Sequence, residues 1–311
     1  MKDQQTNSLP ELIKQKAHQL GFDLCGIAKA RPLEEYGPRL KAWVREGMND
    51  KMEYLARDIE KRLDPGNLLK GARSMVITGL SYYSGNRQKH PDAPVLSRYA
   101  YGINYHDVIF EKLGQLFAWI KSVEPEAEGR SVVDSAPLLE KAWAREAGLG
   151  WQGRHSVLIN KKIGSFFFIG SLILNLELES DSPYSEEYCK ECRICIDACP
   201  TGAINENRTI DARKCIANLT IENRGPIPQE IIPLMGRRIY GCDRCQEVCP
   251  WNKKALPNRT PEFRINEEVA ALSPDEWKNL TEDQFSRLFK GSVVERVKYE
   301  RFVRNIMDVI G

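Results

Sequence analysis

The sequence predicts an α/β domain over residues 1–178, a small cysteine-rich module over 179–256 and a helical tail over 257–311. Three observations carry that reading. Strands alternate with helices through the first part of the chain, eight of the nine cysteines fall between Cys189 and Cys249, and the tail repeats one helix-start device three times. At 311 residues, 42% hydrophobic and 28% charged, the composition is that of a folded protein and excludes disordered and fibrous classes.

The elements follow in order. Residues 8–21 (SLPELIKQKAHQLG) read as a helix with Ser8 as N-cap, Pro10 in its first turn and Gly21 as terminator. The short strand DLCGIA follows and carries the lone Cys25, a small core residue. SMVITGLSYY (74–83) is a second strand. Residues 106–122 form an amphipathic helix, because Val108, Ile109, Leu113, Leu116, Phe117 and Ile120 keep three-to-four spacing. Strand SVVD (131–134), helix PLLEKAWAREAG (137–148) and a strand pair spanning SVLIN and SFFFIGSLILNLEL complete the layer. The polar stretch ESDSPYSEE (179–187) marks a boundary. In the tail, Ser273/Glu276, Thr281/Gln284 and Ser292/Glu295 are spaced as capping boxes, the last opening a helix to about Ile310.

The longest uncharged run, Ile163 to Leu176, is 14 residues, short of the ~18 that would suggest a membrane span. The N-terminus (MKDQQTNSLPELIKQ) has neither a signal peptide nor a twin arginine, so a cytoplasmic location and no membrane contact are expected. A net charge of +2 does not by itself argue for nucleic acid.

Clustered cysteines in such a chain point to metal rather than disulfides, because cytosolic thiols stay reduced. Cys189-x-x-Cys192-x-x-Cys195-x-x-x-Cys199-Pro200 is the bacterial ferredoxin run. A degenerate second run, Cys242-x-x-Cys245-x-x-x-Cys249-Pro250, has Cys215 upstream in place of its first member. Two-residue gaps let three thiolates reach three corners of a cubane from one loop, and the fourth cysteine of each run crosses to the other cluster. Cys189, Cys192, Cys195 and Cys249 are therefore assigned to one 4Fe–4S centre, and Cys199, Cys215, Cys242 and Cys245 to another. Tetrahedral zinc, with two well-separated ligand pairs, suits these crowded gaps poorly. Two one-electron centres form a wire, and the domain-sized stretch before them is where an acceptor belongs. That stretch has no G-x-G-x-x-G after a strand, so a Rossmann nucleotide site is unsupported.

Beside these runs, SRYAYGINYHD (97–107), VVDSAPLLEKAWA (132–144), GWQGRHSVLI (150–159), CIANLTIE (215–222) and YGCDRCQEVCPWN (240–252) resemble the epoxyqueuosine reductases over nearly the whole chain. The resemblance implies a cobalamin-dependent enzyme that reduces the epoxide of epoxyqueuosine at the tRNA wobble position. Its α/β domain would be related to the cobalamin domain of reductive dehalogenases and would hold cobalamin base-off. The clusters would feed it single electrons towards cob(I)alamin, the Cys199/Cys215/Cys242/Cys245 cluster lying nearer the cobalt. The family's proton donor maps onto Asp134, whose burial should raise its pKa. Read without the family, Asp134 suits a helix cap, just before Ser135 and Pro137. Arg57, Ser97, Ser156, Leu158, Ile169, Cys242 and Asp243 resemble cobalamin contacts, and His106 and Asp107 part of the pocket.

The chain departs from the family pattern at Arg154-His155 and Ala217-Asn218. It also resembles the short form, lacking the HEAT-like helical domain with which longer members grip the anticodon arm. Residues 285–305 carry six basic against two acidic side chains, net +4, a candidate phosphate surface. Expected partners are a tRNA anticodon stem-loop and an external electron donor of flavodoxin or ferredoxin type, the chain itself being a monomer. The competing readings are a reductive dehalogenase-like enzyme, a corrinoid-activating reductase and a ferredoxin-type electron-transfer subunit.

Overall fold

In a computed structural model, which describes residues 8–85 and 88–311, a four-stranded sheet with strands in the order 24–29, 74–81, 167–174 and 129–132 forms the centre of the first part of the chain. Its strands are β1 (Leu24–Lys29), β2 (Ser74–Ser81), β4 (Gly129–Val132) and β7 (Phe167–Leu174), and every pairing is antiparallel. Residues 1–7, part of the N-terminal stretch read above for a signal, lie outside the described residues.

All of β2 is buried, and its two-residue side-chain period divides it between two cores. Val76 and Leu80 meet Ile13 and Ala17 of the helix Leu9–Gln19 and Ile109, Leu113 and Leu116 of the helix Tyr105–Val123. Met75 and Ile77 meet Ala142 and Trp143 of the helix Glu140–Glu146 on the other face. Each fully buried aliphatic side chain contributes about 1.5–3 kcal/mol. The 105–123 helix lies against β7 so closely that a Cβ at Gly170 would come within 2.6 Å of the Ile109 side chain. Glycine there fixes how deep the helix sits, and with it the position of Tyr105 and His106.

Several expected elements take other forms. SVLIN does not pair with 167–174: β6 (Leu158–Ile159) pairs instead with β5 (Trp151–Gln152), leaving β7 free to pair with β2 and β4. The strand read as 131–134 ends at Val132, because Asp134 turns into the left-handed region at φ +49°. The following helix starts at Glu140 rather than Pro137. In the tail, the Ser273/Glu276 and Thr281/Gln284 capping boxes are formed. The third is not: Ser292 accepts from Val294 N–H, a 3-10 turn covers Val293–Val297, and the last helix begins at Tyr299 after Lys298 at φ +66°.

The tail shares a core with a segment from early in the chain. Leu96, Ala100 and Tyr101 pack with Ile239, Trp277, Phe289, Phe302 and Ile306, and β3 (Val95–Leu96) pairs in parallel with β8 (Arg238–Tyr240). Asn305, fully buried in the last helix, donates to the carbonyls of Thr220 and Ile239, each at 2.9 Å. The basic side chains of 285–305 largely fasten this tail down. Arg287 pairs with Glu268, Arg296 holds Glu222 at 2.6 and 2.8 Å, and Arg301 and Arg304 donate to backbone carbonyls at Ile221 and Gly225.

Candidate active site

Between the sheet, the 37–45 and 59–63 helices and the cysteine module lies a cavity of about 770 Å³. Leu40, Trp43, Leu55, Leu138, Leu139 and Ala142 give it apolar walls, while Arg62, His106, Asp134, Glu140, Lys141 and Ser156 give it polar ones. A second cavity of about 510 Å³ adjoins it, and Tyr54, His106, Asp134 and Arg296 line both.

Asp134 occupies that junction. Its Oδ2 accepts from the Tyr105 hydroxyl at 2.8 Å and lies 3.4 Å from His106 Nε2. Asn104 caps the 105–123 helix, its Oδ1 accepting from His106 N–H, and lies 2.8 Å from His106 Nδ1, which turns Nε2 to Asp134. Tyr105 is clamped between two rings, stacked on His106 at 4.1 Å and on Phe168 at 4.0 Å. Asp134 N–H donates to Glu140 Oε1 at 2.6 Å, which holds the left-handed turn. Asp134 does not cap the 140–146 helix, whose N-cap is Leu139.

The electrostatics reverse one expectation. The Asp134 side chain is 55% exposed, but it looks into the cavity, with protein around it. Burial therefore does raise its pKa, yet hydrogen bonds from His106 and Tyr105 and the Arg296 charge outweigh that, and the carboxyl is held below its usual range. Glu140 goes the other way: burial, then the Asp134 charge, push it up to about 8. Lys141 is lowered by burial, against the opposing charges of Asp134, Glu140 and Cys245.

The remaining sequence-predicted positions divide. Asp134, His106 and Ser156 line the larger cavity, Ser156 at φ +65° and accepting from Gln152 Nε2. Leu158 and Ile169 belong to the adjoining hydrophobic core. Ser97 and Asp243 are buried together beside Cys242: Ser97 N–H donates to the Tyr240 carbonyl, and the Asp243 carboxylate accepts from Arg98 N–H. Arg57 and Asp107 are exposed and do not line either cavity. Cys25 is half-buried against the sheet core. Tyr105, Glu140 and Lys141 escaped the sequence reading, and Arg296, counted there in the basic tail as a candidate phosphate contact, instead lines both cavities. The signal for two of them was the Glu-Lys pair interrupting the apolar run LLEKAWA.

Among the described residues no disulfide joins the eight cysteines of the module, and their mutual influence sorts them into two sets. Cys195 is pushed up to about 11 by burial and then by Cys189, Cys249 and Cys192. Cys249 is raised by burial and by Cys189 and Cys192. Burial raises Cys245, and its cysteine neighbours are Cys242, Cys215 and Cys199. Thiols that oppose each other's ionisation in this way suit a cationic group among them. Among the described residues no three His, Cys, Asp or Glu side chains close on a single-ion site. Trp151 and Trp251 pack against Cys189 and Cys249. A corrinoid also fits the residues present. The larger cavity offers apolar walls to a broad ring and polar groups to its amide rim, including Arg62 Nε, which has no hydrogen-bond partner. Among the described residues no helix is long and apolar enough to cross a membrane.

Residues 188–252 match the 4Fe-4S double cluster binding domain family, and residues 62–135 match the family described as epoxyqueuosine reductase QueG, DUF1730. A relative from Leadbetterella byssophila named epoxyqueuosine reductase is 48% identical over 303 residues, 96% of this chain and 97% of its own. A crystal structure of epoxyqueuosine reductase with an epoxyqueuosine-modified tRNA-Tyr stem loop superposes with a TM-score of 0.85 at 30% identity, covering 96% of this chain and 80% of that one. A Bacillus subtilis epoxyqueuosine reductase, described with its catalytic aspartate loop swung out of the active site, superposes with a TM-score of 0.84 at 29% identity, covering 96% and 80%.

Proposed function

The chain belongs to the epoxyqueuosine reductase family of oxidoreductases, and from that membership we propose that Asp134 protonates the epoxide oxygen of epoxyqueuosine in a tRNA anticodon stem-loop beside a base-off cobalamin. The observation that carries this reading is the position of Asp134 at the junction of two cavities, held there by Tyr105 and His106. The larger, more apolar cavity takes the corrinoid and the smaller takes the modified base. The catalytic aspartate loop of the Bacillus subtilis relative supports the assignment.

When bound, the corrinoid supplies the two-electron reduction at carbon. Cys189, Cys192, Cys195 and Cys249 hold one 4Fe–4S cluster, and Cys199, Cys215, Cys242 and Cys245 hold the second. We read the second set as the one nearer the cavity, a reading supported by the influence of Cys245 on Lys141 in the cavity wall. Ser156 and Arg62 meet the corrinoid from the larger cavity, whereas Arg57, Ser97, Leu158, Ile169, Cys242 and Asp243 do not line it in this structure. Tyr105 and His106 orient the Asp134 carboxyl. A proton delivered from the Asp134 carboxyl makes the departing oxygen a far better leaving group. An external flavodoxin- or ferredoxin-type donor feeds the clusters. The enzyme works in the cytoplasm as a monomer, with catalytic, cluster and tail units divided near residues 178 and 256.

The test is an anaerobic reaction of the cluster-loaded protein with cobalamin, a strong reductant and an epoxyqueuosine-bearing stem-loop, the nucleosides being read by mass spectrometry. Loss of one oxygen mass, strictly dependent on cobalamin, is the expected result. No conversion, with clusters and cobalamin demonstrably bound, would overturn the reading.

A further inference from the structure

Reduction of an epoxide to an alkene breaks two carbon–oxygen bonds at one oxygen, takes up two electrons and sends that oxygen away as water with two protons. One carboxyl holds one proton, and Asp134 is placed among groups that favour its carboxylate: the Tyr105 hydroxyl, His106 and Arg296. A donor so situated needs a supply. Glu140 is next to it, in the same cavity wall, with Oε1 2.6 Å from Asp134 N. The groups facing Glu140 are Asp134 from the loop after β4, Arg62 from the 59–63 helix, Tyr105 from the 105–123 helix and Lys141 from its own helix.

We propose that Glu140 is the positioning residue that stores the proton Asp134 hands on, refilling it once for each carbon–oxygen bond broken. The inference rests on Asp134 being the donor. The proton on Glu140 passes to the Asp134 carboxylate and from there to the oxygen as the first bond breaks. Glu140 refills from water in the cavity, and the transfer repeats as the hydroxyl leaves as water. Two protons from solvent and two electrons from the external reductant balance the conversion. At neutral pH Glu140 keeps its proton, since burial and then the Asp134 charge push its carboxyl up to about 8.

Glu140→Gln separates storage from scaffolding, because its amide oxygen still accepts from Asp134 N–H while its proton no longer titrates. In cluster- and cobalamin-loaded enzyme with excess stem-loop, the parent should lose turnover on the alkaline side with a midpoint near 8. Glu140→Gln should lower kcat roughly 100-fold or more, leave KM unchanged and abolish that alkaline limb. Glu140→Asp should restore a limb at a shifted pH. Infrared difference spectra between acid and alkaline pH should show one protonated-carboxyl band that disappears in Glu140→Gln. Parental kcat and an intact alkaline limb in Glu140→Gln, or a band that persists, would overturn the proposal. Should Glu140→Gln fail to fold, an unmoved midpoint in Glu140→Asp decides against it. Asp134→Asn is run alongside: near-parental turnover there refutes the donor reading itself, whereas a dead Asp134→Asn with an unaffected Glu140→Gln refutes only the storage role.

Discussion

Asn305→Ala tests how the tail is locked to the cluster module. The Asn305 amide donates to the Thr220 and Ile239 carbonyls, each at 2.9 Å, in a site of zero exposure. Alanine leaves both carbonyls buried without that donor, at about 1–3 kcal/mol each. A loss of roughly 2–6 kcal/mol in unfolding free energy is therefore expected, at or above the usual range for a single substitution. Ile239 lies in β8, three residues before Cys242, so the loss should reach the cluster loop. The assay is anaerobic urea denaturation of the cluster-loaded protein, following tryptophan fluorescence and visible cluster absorbance in parallel. Both midpoints should fall together. A change below about 0.5 kcal/mol, the range of an ordinary surface substitution, would show that the tail is held by its apolar core alone.

Three further outcomes are expected. Asp134→Asn should keep clusters and cobalamin, measured by iron content and absorbance, while turnover falls at least about 100-fold; near-normal turnover refutes the donor role. Tyr105→Phe deletes one of the two hydrogen bonds that hold the Asp134 carboxylate down. Asp134 should then take up its proton at a higher pH by infrared titration, and no movement would show that the hydroxyl leaves the carboxylate unaffected. Cys215→Ala should cut iron from about eight to about four per chain, two cubanes becoming one; iron that stays near eight would remove Cys215 from its set.

The parts legible in the sequence are those set by local spacing. The two- and three-residue gaps of the cysteine runs lie within single loops, and the 105–123 helix announces itself by its apolar period. The antiparallel order of the sheet was not legible, since pairing β7 with both β2 and β4 is decided by residues up to about a hundred apart. The failed third capping box has a local cause: Lys298 at positive φ breaks the chain direction between Ser292 and the last helix. The Asp134 environment was misread for a different reason. The sequence reading weighed desolvation alone, and the groups that outweigh it come from the start of a helix upstream and, with Arg296, from the tail. No window around residue 134 contains them.

The shared core of the tail and the 93–101 segment also sets an order of events during biosynthesis. Asp134, Glu140 and Ser156 are translated well before Tyr240 and Arg296, which close the adjoining cavity. Between Asp134 and Arg296 lie about 160 residues, or roughly 10–30 s of ribosomal elongation. Through that interval the nascent polypeptide presents its sheet and Asp134 loop with one side open. The wall that seals it, pinned by Glu222 and Asn305, arrives only after all eight clustered cysteines have emerged.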